Sequence, residues 1–401
     1  MAGRRKKKIE EPDLKGFKHF KLLNSILKRL HDTACERDRA GNRELHYDQY
    51  AALILLYFFN PIVTSLRGIQ QASELKKVQK KLGCSRASLG SLSEAARVFD
   101  ADLLRGIIGG LVDKLPILEG NQELKDIRGI ITLVDGSVLS ALPKLVQAMW
   151  SDAKGTHGIK LHTHFELLKG VPTRMDLTDG DGNERAALQQ ALLPDRVYVM
   201  DRGYAKFVLF ADILQAKSSF VCRVRDNSVY ELLEDRTSSC ADNAVKAGEI
   251  QSDLTVRFTG DQATKAGLDR PLRLVKIVCN PHRCTHKNGR GGPDQGEVLL
   301  VATDIMDVEP EVIALIYKNR WAIETFFRFF KHILGCRHLL SHCQNGIEIQ
   351  TYVAIIACLL IALWTGRKAT LRTYEMLCFY MSGLADEEEL LAHIEKLQPQ
   401  D

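Results

Sequence analysis

Two short apolar runs, each closed by an aspartate, constrain this chain most. Gly129-Ile-Ile-Thr-Leu-Val-Asp135 and Val197-Tyr-Val-Met-Asp201 are rich in β-branched and large apolar residues and show no polar alternation. Runs of this kind belong to strands covered on both faces, which calls for a central sheet with helices on either side. The neighbouring segments agree. Ile159–Leu167 alternates as a strand, Pro172–Leu177 extends, Glu184–Leu193 and Ala205–Ala216 have helical spacing, and Ser219–Arg225 is again a strand. The expected class is therefore α/β, a mixed sheet flanked by helices.

The flanks read differently. Phe17 to about Leu115 is helical, with candidate helices at His19–Leu30, Tyr47–Phe59, Ile62–Lys77, Ser88–Phe99 and Ala101–Leu115, broken by Pro61 and Gly83. Ser85-Arg-Ala-Ser before Ser91-Leu-Ser-Glu is compatible with a helix-turn-helix or with an ordinary bundle. Residues 226–305 form a β-rich insertion with runs at Leu254–Thr259, Leu272–Cys279 and Glu297–Thr303. Helical spacing returns at Glu309, continues through a buried helix over Ile349–Trp364, and ends in an acidic amphipathic helix over Glu387–Leu397.

Charge is local rather than global. Residues 1–22 hold eight Lys/Arg and three acids, which equals the net +5 of all 401 residues, so the rest is neutral. Nucleic-acid binding must then come from patches and from the basic arm, Arg4, Arg5, Lys6, Lys7 and Lys8, which reads as a phosphate clamp or a solvated tail. The ten cysteines are scattered, no apolar stretch follows the basic start, and the longest apolar run, Val353–Trp364, is short for a bilayer. A soluble cytoplasmic protein with reduced thiols and no membrane contact is expected.

A third acid stands on a helix. Tyr317–Lys331 reads as one long amphipathic helix on which Arg320, Glu324 and Lys331 fall at about 300°, 340° and 320° from Tyr317, a single polar stripe beside Ile323, Phe326, Phe327 and Phe330. Alone, Arg320 and Glu324 would be a surface ion pair at i,i+4 spacing. Together with Asp135 and Asp201, Glu324 becomes one of three carboxylates on rigid elements at the sheet edge where ligands sit in open α/β folds. Three such groups repel unless divalent cations neutralise them, and hard oxygen donors suit Mg²⁺ or Mn²⁺. Two ions about 4 Å apart are the usual device for phosphodiester chemistry.

These residues resemble the DDE transposases of bacterial insertion sequences, in the insertion-sequence-four-like subgroup marked by Tyr-x2-Arg-x3-Glu-x6-Lys. Tyr317, Arg320, Glu324 and Lys331 match that spacing without a gap. Val134-Asp135-Gly136-Ser137 resembles the first-acid motif and Asp201-Arg202-Gly203-Tyr204 the second, with Lys160-Leu-His162 and the Pro172 strand in the family's places. The resemblance covers roughly residues 17–365. It implies an RNase H-like catalytic domain in two parts, 124–225 and 306–370, split by the insertion at 226–305. It also implies a helical DNA-binding domain at 17–120, a flexible arm at 1–16 and a helical tail at 371–401. Asp135, Asp201 and Glu324 would be catalytic and hold two Mg²⁺ or Mn²⁺ ions. Arg320 and Lys331 would contact phosphates, and Tyr317 the DNA end. The implied partners are double-stranded transposon ends and target DNA, with a homodimer in the synaptic complex, acting at the bacterial nucleoid. The implied reaction is cleavage and strand transfer, in the subgroup through a hairpin on the element end. A catalytically silent DNA-binding relative and an RNase H-like nuclease without strand transfer are the alternatives.

Two further features have competing readings. Cys279, His282, Cys284 and His286 could hold zinc, but the spacing is shorter than in common zinc modules, and a basic hairpin against DNA is favoured. His162 and His164 share one strand face and are read as packed histidines.

Overall fold

Nine strands join in one sheet in the computed structural model, which describes residues 25–31, 33, 44–118, 124–139, 159–237, 249–278, 296–335 and 339–396. They are β1 Ile130–Leu139, β2 Ile159–Glu166, β3 Val171–Asp179, β4 Arg196–Met200, β5 Ser219–Arg223, β6 Tyr230–Asp235, β7 Glu249–Phe258, β8 Leu272–Val278 and β9 Val298–Thr303. Their order in space is β3-β2-β1-β4-β5-β9-β8-β7-β6. β1, β4 and β5 are parallel neighbours, and the remaining pairs are antiparallel. An antiparallel meander running into parallel strands is the RNase H-like mixed sheet that was expected.

Period-two alternation divides the sheet's side chains between two cores. On β4, Val197 and Val199 enter one core, and Tyr198 and Met200 enter the other. The second core is closed by α6 Glu184–Gln190, α7 Phe207–Gln215 and the short α8 Asp261–Lys265. The first is larger. It takes in α1 Tyr47–Phe59, α2 Leu66–Ser73, α3 Lys76–Leu82, α4 Leu89–Val98 and α5 Leu103–Val112 from the N-terminal part. From the C-terminal part it takes α9 Pro310–Lys318, α10 Trp321–Gly335, α11 Gln344–Thr365, α12 Leu371–Ser382 and α13 Glu387–Lys396.

α11 is long and apolar enough to cross a membrane, but its most apolar stretch is 89% buried inside the protein. α1, α4 and α5 pack on it, as does β3. Asn345 in its first turn donates to the carbonyls of Ala96 (2.8 Å) and Phe99 (2.6 Å) and accepts from the Ala101 N–H (3.2 Å), which ties the α4–α5 corner to α11.

Three elements depart from the sequence reading. The helix expected over Ile62–Lys77 divides into α2, which is capped by the Ser65 hydroxyl accepting from Gly68 N–H, and α3, with Glu74 and Leu75 between them. β1 does not stop at Asp135. Its parallel pairing with β4 ends at Leu133 opposite Val199, but the antiparallel ladder with β2 carries it on to Leu139. The strands of 226–305 do not make a sheet of their own: β9 pairs with β5, Arg223 opposite Val301, and β8, β7 and β6 follow outward. The basic arm Arg4–Lys8 and the group Cys279, His282, Cys284 and His286 lie outside the described residues.

Candidate active site

Asp135 and Asp201 sit where β1 and β4 part. Two residues beyond Leu133, where the parallel pairing of β1 ends, Asp135 faces α10, and its Oδ1 accepts from the Gly136 N–H at 2.8 Å. Asp201 follows the last residue of β4 and caps a short 3-10 turn, Arg202–Tyr204, by accepting from the Gly203 N–H at 2.8 Å. The Arg202–Tyr204 turn is anchored by the buried Tyr204, and Arg185 donates to the Gly203 carbonyl at 3.4 Å. Behind Asp201, the Cys222 thiol on β5 donates to its main-chain carbonyl.

The polar stripe is carried by two helices, not one. α9 ends at Lys318, Asn319 and Arg320 form a turn, and α10 begins at Trp321. The physical reason is at Asn319, whose side-chain amide donates to the Leu315 carbonyl at 2.9 Å while Arg320 N–H bonds Tyr317 at i−3. Local side-chain bonding of this sort competes with the helical ladder. Tyr317 therefore belongs to α9 and Glu324 to the first turn of α10, where the positive end of the helix favours a carboxylate. Phe326 tilts against Phe165 of β2 at 5.4 Å, and Ile323, Phe330 and Ile333 are fully buried, so the apolar stripe fixes α10 to the sheet as expected.

Arg320 is the hub. It is 8% exposed, lies over the Trp321 ring at 5.0 Å and donates from Nη2 to Glu324 Oε1 at 2.8 Å. Desolvation works against its charge, but Tyr317, Glu324 and Asp135 outweigh that cost and hold the guanidinium protonated. Burial pushes the Asp135 carboxyl up to about 7; Asp201 and Glu184 push the same way, against Arg320 and the Gly136 N–H. Burial also raises the Tyr317 phenol to about 12, and Arg320 and Asp201 are among the charges around it. Lys331, lowered by its own burial, is stabilised by Asp135.

The structure thus brings Asp135, Asp201, Tyr317, Arg320 and Lys331 into one electrostatic neighbourhood, with Glu324 joined to it through Arg320. Among the described residues, no three metal-ligating side chains converge into a formed cation cage. The donor set nonetheless fits a hard divalent cation. Burial first, and then Asp201 and Glu184, drive the Asp135 carboxyl towards its neutral form, and a cation is what would return it to the carboxylate. Sequence reasoning missed Glu184. The signal available was an acid directly after an N-capping Asn183, opening the first helix after the three-strand meander.

A family model described as "Transposase DDE domain" matches residues 128–360. A protein of Sinorhizobium fredii that carries a transposase name is 27% identical over 254 residues, 63% of this chain and 64% of the relative, so the matched region spans less than two thirds of that protein. A Synechocystis protein named for a transposase of an insertion sequence element is 26% identical over 305 residues, covering 73% of this chain and 77% of the relative. A Geobacillus stearothermophilus protein with a name of the same kind is 23% identical over 282 residues, 70% of this chain and 68% of its own. A chain from a piggyBac transposase synaptic complex with hairpin DNA aligns over 95% of this chain and 82% of its own at 11% identity, with a TM-score of 0.41.

Proposed function

This chain belongs to the DDE transposase family, and from that premise we propose that it cleaves DNA at the ends of an insertion sequence and transfers the freed strand to a target. The reaction is divalent-metal-dependent phosphoryl transfer. The observation that carries the reading is the meeting of Asp135 and Asp201 at the parting of β1 and β4, with the Arg320–Glu324 pair brought over them by α10.

Each residue has a separate task in this reading. Asp135, Asp201 and Glu324 would hold two Mg²⁺ or Mn²⁺ ions, which when bound supply charge neutralisation at the scissile phosphate and activation of the attacking oxygen. Glu324 would give up its bond to Arg320 to hold an ion. The Arg320 fork would then be free for a phosphate, for which its planar donors are suited, and Lys331 would add a point charge beside Asp135. Tyr317 donates to the DNA end. Trp321, stacked under Arg320, keeps the guanidinium in place while it changes partners.

The wider assembly is also part of the proposal. The exposed faces of α2–α5 contact the end duplex, Arg4, Arg5, Lys6, Lys7 and Lys8 clamp phosphates, and two copies pair on two ends at the bacterial nucleoid. A hairpin on the element end is the expected intermediate. The decisive test is nicking of end-containing DNA in Mg²⁺ or Mn²⁺. Asp135→Asn and Asp201→Asn are each expected to lose about a hundredfold or more in rate, and chelation of the metal all of it. Nicking at the parental rate by Asp201→Asn would overturn the assignment. Joining of precut ends distinguishes a transposase from a nuclease.

A further inference from the structure

Thr163 of β2 stands directly across from Asp135 of β1 in their antiparallel ladder. Residues opposed in this way put their side chains on the same face, with Cβ atoms about 5 Å apart. The face is the one that α10 covers. Leu133, two residues before Asp135, and Leu161 and Phe165, on either side of Thr163, all enter the first core, and Phe165 meets Phe326 of α10. Glu184 of α6 belongs to the other face, where its carboxylate fills the space that a side chain at Gly136 would take. Thr163 is 1% exposed, and among the described residues its hydroxyl has no hydrogen-bond partner. Its neighbour across the sheet on the far side is Met175 of β3, whose thioether is a weak acceptor. In this cross-strand row the strong acceptor is the Asp135 carboxylate. A valine has nearly the same shape and would bury no unpaired hydroxyl, so the polar atom at this position costs stability unless something bonds it.

We propose that Thr163 is a positioning residue whose hydroxyl donates to the Asp135 carboxylate when that acid holds a divalent cation. The proposal rests on the reading of Asp135 as a metal ligand. Asp135 Oδ1 accepts from the Gly136 N–H, a bond to the next residue of its own chain. A ligating carboxylate is held in orientation by further hydrogen bonds from its surroundings, and Thr163 supplies one from a neighbouring strand of the same rigid sheet. The donor is neutral. It orients the carboxylate without competing for its charge, which Arg320 and Lys331, the cations around Asp135, cannot do.

The test is calorimetric titration of the full-length protein with Mn²⁺ alone, beside thermal unfolding of each variant in metal-free buffer. Thr163→Val keeps the shape and removes the donor. It is expected to weaken Mn²⁺ binding on the order of tenfold, the usual effect of losing a group that supports a ligand. Its melting temperature without metal should equal or exceed the parent's, because the unpaired hydroxyl is gone. Thr163→Ser keeps the donor and loses only a methyl, and its Mn²⁺ affinity is expected to stay within a few fold of the parent's. Thr163→Ala, which also lacks the donor, should reproduce the loss and covers the case in which valine is not accommodated. Parental Mn²⁺ affinity in Thr163→Val would make Thr163 a core filler and overturn the proposal. So would Thr163→Ser binding as weakly as Thr163→Val. Asp135→Asn is the control: undiminished Mn²⁺ binding there would overturn the ligand reading itself.

Discussion

His164 on β2 is 5% exposed and presents its ring edge-on to Tyr198 at 6.0 Å. Burial pushes its imidazole down to about 4, with Arg174, Arg196 and His162 pressing the same way and Asp176 opposing. The unfolded chain takes up this proton below about 6.5, whereas the folded protein resists until about 4. Stability is therefore full above the upper value and declines as the medium is acidified through that window. The expected loss between pH 7 and pH 5 is about 2 kcal/mol from this one residue. Urea unfolding of His164→Gln at both pH values should show that much less acid sensitivity than the parent; an unchanged slope would sink the account. At this scale the sequence was legible wherever a residue closed an apolar run or shared a strand face. Asp135 and Asp201 stood out at the ends of apolar runs, and the packed reading of His162 and His164 agrees with their burial. Glu184 was not legible, because what distinguishes it is a contact through the gap at Gly136 that only the packing of α6 on β1 creates.

The loop that leads into α9 is held from both sides. Asp304 accepts from the Phe220 N–H and the Ser219 hydroxyl of β5, both at 2.9 Å. Arg273 of β8 is 0% exposed and forks onto Asp253 of β7 with two bonds of 2.8 Å, then donates to the Val308 carbonyl at 2.6 Å. Arg236 adds a bond to the Met306 carbonyl at 3.1 Å. The outer strands thereby fix the start of the helix pair that bears Tyr317, Arg320 and Glu324. Arg273→Met leaves Asp253 buried without its fork and is expected to destabilise the protein by about 3–5 kcal/mol, most of it recovered in Arg273→Met/Asp253→Leu. Denaturant midpoints read both; a single-variant loss below about 1 kcal/mol would contradict the argument. Elements were legible where an apolar run was continuous and clearly bounded, as on α1 and β4. β6 was not, since Tyr-Glu-Leu-Leu-Glu-Asp is exposed at five of six positions and carries no β-branched residue. The break between α9 and α10 was missed because a helical wheel counts spacing and cannot see Asn319 bonding Leu315.

At the scale of the whole molecule, one core joins the N-terminal helices to the catalytic sheet. Residues as distant as Tyr50, Leu133 and Leu359 belong to the same buried cluster, and Tyr374 donates to the Phe58 carbonyl at 2.6 Å. Parts that share a core melt together. Calorimetry is expected to give one transition with equal calorimetric and van't Hoff enthalpies, and a separately melting N-terminal unit would contradict it. The fold class was legible from the apolar runs; the sharing of a core was not, since it depends on which helices α11 meets. α11 also has a consequence for how the protein is made. It leaves the ribosome after α1, α4 and α5, the helices that need it for cover, and after the strands of the sheet. A chain halted before Gln344 holds Asp135, Asp201, Glu324 and every described strand, yet its N-terminal helices lie open with their apolar faces bare. Such a fragment has a surface for chaperones and proteases rather than a folded domain. Formation of the shared core thus waits for α11, so the cell meets this chain with that helix in place or clears it.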